Sequence, residues 1–400
     1  MVRNRWFIII GILLIQICLG ALHAWSVFRK PLQEKNLTPT QATLPYAFAV
    51  SISALTTIIG GRWQDKKGPK IVSLTGGILF GLGLILSGVI KSFLGILLSY
   101  GILSAIGLGL SYVSAISVGA KWFPDMRGLI TGISVAGLAS GTFIIAQISR
   151  VLIDNINIFN TFIVLGISFL ILITIGSLIL KNPPEGYVVE IPTSLSKSPI
   201  NSYDYSPSEI FKTYQFYLIW FIYFLGCATG LMIIGQASPI GQELAGLTKE
   251  KAAFAVGILA IFNALGRVFW GKVSDLIGRM KTLFFIFLIC GIAVILYIII
   301  PSFPSYYWIG IPLVGLCFGG YLGVFPAVIA DFYGIKNVGM NYGLVFNGCG
   351  IGGLIGNIFM PQILEKTKSY DLAFITAGIL CLLGAITTFL IKHPKKINII

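Results

Sequence analysis

Charge is what this chain has least of. Of its 400 residues, 10% are Asp, Glu, Lys or Arg and 56% are hydrophobic, a balance that excludes an ordinary soluble globular domain. Acidic residues are the scarcer sign, 14 against 28 basic, and there are 2 histidines. No Asp or Glu falls well inside an apolar stretch, and Asp331 stands at the end of one. Without a His/Asp/Glu cluster for metal binding or acid–base work, neither an enzyme nor a metal or cofactor site is expected. The 6 cysteines (Cys18, Cys227, Cys290, Cys317, Cys349 and Cys381) all lie in apolar stretches, without CxxC or zinc-finger spacing. That argues against a disulfide framework. Nor is a cleavable leader expected. The first apolar stretch, Trp6–Phe28, is too long for a signal core and runs into Arg29 without a clear small-residue cleavage site.

What the chain has instead is length of apolar run. Twelve stretches can each cross the hydrocarbon of a bilayer, which takes about 20 helical residues. They include Trp6–Phe28, Thr43–Gly61, Phe93–Val118, Leu129–Ser149, Ala252–Gly271, Ser305–Ala330, Gly339–Ile363 and Leu372–Ile391. A helix satisfies their backbone where little water reaches, so the fold class is an all-α membrane protein. Cations gather in alternate connections, among them Arg62, Lys66, Lys67, Lys70, Lys272, Arg279 and Lys281. Arg3, Arg5, Lys197, Lys395 and Lys396 fall on the same side of that alternation. The richer side is the cytoplasmic one, which puts both termini in the cytoplasm. The +14 net charge is then a topology signal and calls for no nucleic acid. A compact, nearly loopless chain fits a multi-pass carrier of a bacterial inner (plasma) membrane.

The polar stretch Lys181–Lys212 carries Pro183, Pro184, Pro192, Pro199 and Pro207 and reads as a cytoplasmic linker. It divides the chain into six-helix bundles over residues 1–180 and 214–400, joined by 181–213. Both halves carry one pattern. Gly61, Asp65, Gly68 and Lys70 follow the second stretch, and Gly271, Asp275, Gly278, Arg279 and Lys281 follow the eighth. Gly68 and Gly278 permit a tight turn. Asp65 and Asp275 can cap or pair at a neighbouring helix end, and cations such as Arg62 and Arg279 anchor the loop. Two copies in corresponding places signal internal duplication. Gly128, Gly132, Gly137 and Gly141, and later Gly348, Gly352, Gly353 and Gly356, let backbones approach closely in lipid.

With this loop the chain resembles the major facilitator superfamily. The resemblance implies two pseudo-symmetric six-helix halves, a central site and alternating access. The stretch Lys121–Gly132, Asn4-Arg5-Trp6-Phe7 and Met340-Asn341-Tyr342-Gly343 resemble the oxalate/formate antiporter family, relatives of the animal monocarboxylate carriers.

One cation resists placement in any loop. Arg267 lies in the eighth stretch, one turn after Asn263 and on the same face. A cation there costs about 2.5–3.5 kcal/mol on insertion scales and normally serves a function. A guanidinium offers a planar fork for a carboxylate. In the resembling family an arginine here is the substrate-carboxylate ligand. That family's oxalate exchanger has a second cation, a lysine, where this chain has Cys349, so a monoanion is favoured over a dianion. His23 lies near a functional lysine of the monocarboxylate carriers and is the proton-coupling candidate. Asn263 replaces their titrating aspartate. Tyr112 is a candidate hydroxyl donor to the carboxylate, Phe318, Tyr321 and Phe346 are wall candidates, and Leu138 is the candidate limit on substrate size. The expected function is proton-coupled uptake of lactate, pyruvate or formate-like acids by a monomer whose partners are substrate, proton and lipid bilayer. Carboxylate exchange is the alternative.

Overall fold

The computed structural model describes residues 5–187, 189, 203–300 and 303–394. Arg3, Asn4, Lys197, Lys395, Lys396 and the proline- and serine-rich middle of the linker lie outside the described residues. Every described element is helical, and no strand occurs among the described residues. Among the described residues, twelve helices are long and apolar enough to cross a membrane: α1 (Trp6–Gln33), α2 (Thr40–Lys67), α3 (Pro69–Ile90), α4 (Phe93–Trp122), α5 (Arg127–Ile156), α6 (Ile158–Ile179), α7 (Tyr214–Ile234), α8 (Lys249–Ile277), α9 (Arg279–Ile299), α10 (Ser305–Tyr333), α11 (Val338–Thr367) and α12 (Asp371–Leu390).

Local chemistry sets their ends. Before α2, the Thr38 hydroxyl accepts from the Gln41 N–H, and the Gln41 side chain accepts from the Thr38 N–H, a reciprocal cap. Thr248 caps α8 through the Lys251 N–H. Asn157, at φ 67°, turns the chain between α5 and α6 and accepts from Phe159 and Asn160. The tightest turns are single glycines. Gly68 (φ 87°) joins α2 to α3, and Gly278 (φ 94°) joins α8 to α9, a backbone region that side chains resist. The polar segments before those glycines are not loops, as expected from sequence, but the last turns of α2 and α8. Once the hydrogen-bond ladder is running, each further residue adds a bond at little cost, so the helix outlasts its apolar stretch. α1 likewise continues past Phe28 to Gln33, with a 3₁₀ segment at Gly20–Trp25, and α4 holds a π-helical segment at Leu97–Ser104.

The chain forms two compact units. One comprises Met1–Pro124, Gly137–Val189 and Ile335–Leu344; the other comprises Asp125–Ala136, Glu190–Gly334 and Val345–Ile400. In the first, α3 packs on α6 and α4, α2 on α4, and α1 on α6 and α4. In the second, α9 packs on α12 and α10, α8 on α10, and α7 on α12 and α10. The two lists match helix for helix with six added to each number. The duplicated sequence pattern is thus a duplicated packing pattern. Of the linker, Tyr205 is fully buried and donates its N–H to the Tyr333 carbonyl at the end of α10.

Candidate functional site

In the second unit, Arg267 lies mid-helix in α8 and is 6% exposed. Its Nε donates to the Asn263 Oδ1 at 3.2 Å, and its Nη1 donates to the Val135 carbonyl of α5. The i, i+4 spacing makes the first bond, and close backbone approach makes the second. A Cβ at Gly132 of α5 would collide with the Arg267 carbonyl oxygen. Cβ atoms at Gly319 and Gly323 of α10 would collide with the carbonyls of Asn263 and Arg267. Thr131 ties α5 to α10 by donating to the Gly323 carbonyl at 2.8 Å. Arg267 is therefore held among close-packed backbones, its head oriented by an amide and a carbonyl. That geometry differs from a flexible cation reaching for an interface.

The other expected residues of this unit are distributed unevenly. Cys349 of α11 is 8% exposed, and its Sγ lies 2.7 Å from the Sγ of Cys227 on α7. Phe346 is half-buried with its ring 6.3 Å from that of Tyr223, which stacks on Phe325 at 3.9 Å. Phe318 is 6% exposed and fills the space beside Gly230. Tyr321 is fully buried against Phe287 and Gly226. Sequence named it as a cavity-wall candidate; in the structure its ring packs against α9 and α7. A period of 3.6 residues gives a helix face, not the neighbour that covers it.

In the first unit, His23 is exposed in the 3₁₀ segment of α1, its Nδ1 3.4 Å from the Tyr46 hydroxyl. The Tyr112 hydroxyl lies 3.3 Å from that of Tyr342. Leu138 is buried, and a Cβ at Gly20 would strike its carbonyl. Gln16 escaped the sequence reading. It is fully buried in α1, and neither amide atom has a hydrogen-bond partner.

Sequence reasoning placed Asp65, Asp275 and Arg279 at the polar helix ends but missed that Lys121, Arg127 and Asp331 complete two buried charge networks there. In the first unit, Asp65 accepts the Met340 N–H at 2.9 Å and the Gly339 N–H at 3.3 Å. Lys121 stands 3.4 Å from it. Arg62 is exposed. In the second unit, Asp275 accepts the Gly128 and Leu129 N–H groups at 2.9 Å each, so it caps the start of α5. Arg279 joins Asp275 at 2.6 Å and Asp331 at 2.7 Å, and Arg127 joins Asp331 at 2.6 Å. The Gly-x-x-x-Asp pattern marked the capping aspartates, but nothing in it points to Asp331. Among the described residues, no group of three His, Cys, Asp or Glu side chains is placed to hold a metal ion.

A sequence profile described as Major Facilitator Superfamily matches residues 5–319. The chain is similar to the uncharacterized MFS-type transporter YhjX of Escherichia coli (strain K12), 29% identical over 88% of this chain and 86% of that one. It is similar to the oxalate:formate antiporter of Oxalobacter formigenes, 27% identical over 98% and 93%. It is similar to monocarboxylate transporter 12 of Homo sapiens, 24% identical over 98% and 81%. Among solved structures it is similar in fold to the E. coli fucose:proton symporter FucP, with TM-score 0.75 and 14% identity over 98% and 100% of the chains.

Proposed function

This chain belongs to the Major Facilitator Superfamily, a family of transporters, and on that premise we propose that it carries small monocarboxylates such as lactate, pyruvate or formate across a bacterial inner membrane. The observation that carries this reading is the buried Arg267 guanidinium, oriented by Asn263 and embedded in α8. Such a group binds a carboxylate through paired hydrogen bonds. Cys349, a small neutral thiol, stands where the resemblance to the oxalate exchanger calls for a lysine. A dianion beside one guanidinium keeps a net charge in a low-dielectric site; a monoanion is balanced. Tyr112, Phe318, Tyr321, Phe346 and Leu138 are the proposed supporting residues that shape the site for a small acid. Residues 1–180 and 214–400 act as the two six-helix halves, both termini lie in the cytoplasm, and the chain acts as a monomer.

We assign proton coupling to His23. It is exposed, it contacts the Tyr46 hydroxyl, and its type changes charge near physiological pH. Exchange of one carboxylate for another is the second reading, favoured by the similarity to an oxalate:formate antiporter and by a non-titrating Asn263. Uptake of labelled lactate, pyruvate, formate and oxalate into proteoliposomes, with and without an inward proton gradient, separates the two. Gradient-driven uptake of a monocarboxylate supports symport. Uptake of oxalate alone overturns the monocarboxylate reading. His23→Gln should flatten the pH dependence, and a slope that persists removes His23 from the coupling.

A further inference from the structure

Five of the six cysteines lie in the second unit: Cys290 contacts Cys317 and Cys381, and Cys227 meets Cys349 across a helix pair. The Sγ atoms of Cys227 on α7 and Cys349 on α11 are 2.7 Å apart, and both residues are free thiols. The helices that carry them cannot drift apart easily. Cβ atoms at Gly352 and Gly356 of α11 would collide with the carbonyls of Phe224 and Ala228 on α7. The two sulfurs are in direct contact, and a disulfide forms only between cysteines whose backbones are already this closely paired. The two thiols differ in access. Cys349 is 8% exposed and Cys227 is fully covered. The other thiols of this unit, Cys290, Cys317 and Cys381, are all fully covered. A small oxidant entering from the more open side meets Cys349 first.

We propose that Cys227 and Cys349 form an oxidation site for hydroperoxides, whose closure to a disulfide stops transport. The Cys349 sulfur attacks the peroxide and gives up its thiol proton to the departing oxygen, the O–O bond breaks, and a sulfenic acid forms as one water leaves. The Cys227 sulfur then attacks the Cys349 sulfur and displaces the second water. Two thiols lose two electrons and two protons, and one hydrogen peroxide becomes two waters. The new bond ties α7 to α11 and consumes the thiol at position 349. The loss of transport rests on the proposed carboxylate site; the formation of the bond does not.

The test uses the full-length protein in proteoliposomes, treated with hydrogen peroxide and digested without reduction. Mass spectrometry should find one intramolecular link joining the peptides of Cys227 and Cys349, with the other thiols free. Uptake of the transported carboxylate should be lost on oxidation and return with dithiothreitol. Cys227→Ala should transport normally and resist peroxide, and Cys227→Ser serves if the alanine variant folds poorly. No link, a link between other cysteines, equal peroxide sensitivity in the Cys227 variants, or a link that leaves uptake unchanged each overturns the proposal. If no monocarboxylate is taken up by untreated protein, the carboxylate reading fails, while the link is still decided by mass spectrometry.

Discussion

The two polar helix ends carry the same sequence pattern but different ion-pair partners. Asp65 and Asp275 both cap a neighbouring helix start, in the first and second units respectively. Lys121 and Asp331 are 210 residues apart, the same spacing that separates Asp65 from Asp275. So the second unit has an anion where the first has a cation. In the first unit Lys121 balances Asp65 directly at 3.4 Å. In the second, Asp331 requires cations of its own, and Arg127 and Arg279 supply them. The residue four beyond Asp275 is Arg279, whereas the residue four beyond Asp65 is Pro69, which begins α3 and offers no charge. One unit therefore ends in a simple ion pair. The other ends in a neutral quartet of Arg127, Arg279, Asp275 and Asp331, each with its side chain under a tenth exposed. Duplication preserved the turn and the cap, and the partners diverged.

Substitutions rank the two ends. Asp331→Asn should cost most, because it leaves Arg127 and Arg279 sharing one carboxylate in a buried setting. Breaking a buried pair costs about 3–5 kcal/mol, and a thermal unfolding midpoint in detergent should register the drop. Asp275→Asn removes a charged acceptor from two N–H groups and from Arg279, an expected loss of about 2–3 kcal/mol in the same assay. Asp65→Asn should lose about 1–2 kcal/mol, since its ion pair is longer and its cation is a single lysine. Equal losses at Asp65 and Asp275 would erase the contrast between the units.

The smallest effect concerns pH. His393, just beyond α12, stacks on Phe332 with ring centroids 4.1 Å apart. Burial lowers its imidazole pKa, while the Asp331 charge pulls the other way. A histidine held neutral on folding contributes fully above its ordinary pKa of about 6.5 and loses that contribution as pH falls below it, because the unfolded chain then binds more protons. The melting midpoint of the wild type should therefore decline on acidification through that range. His393→Phe, which keeps the stack, should flatten that decline.

Much of the fold was legible in sequence because hydropathy and turn chemistry are local. Lipid leaves a long apolar run only one way to satisfy its backbone, and Gly68 and Gly278 sit where positive φ is required. The pair Asn263 and Arg267 was legible for the same reason, since one turn of helix joins them. What stayed hidden depends on residues far apart in the chain. Arg127 and Asp331 are 204 positions apart, and Cys227 and Cys349 are 122 apart. For Tyr321, aromatic character fixes a preference for apolar surroundings, not which helices supply them. The helix ends past Gly61 and Gly271 looked like loops because their polarity was read as exposure.

The most direct test of the account is uptake of labelled lactate or pyruvate by wild-type protein and by Arg267→Ala, inserted in equal amounts into proteoliposomes. The account predicts measurable uptake by the wild type and none above background by the variant, with Arg267→Lys recovering only a part, since an ammonium cannot reproduce the planar fork. Undiminished uptake by a correctly inserted Arg267→Ala would contradict it.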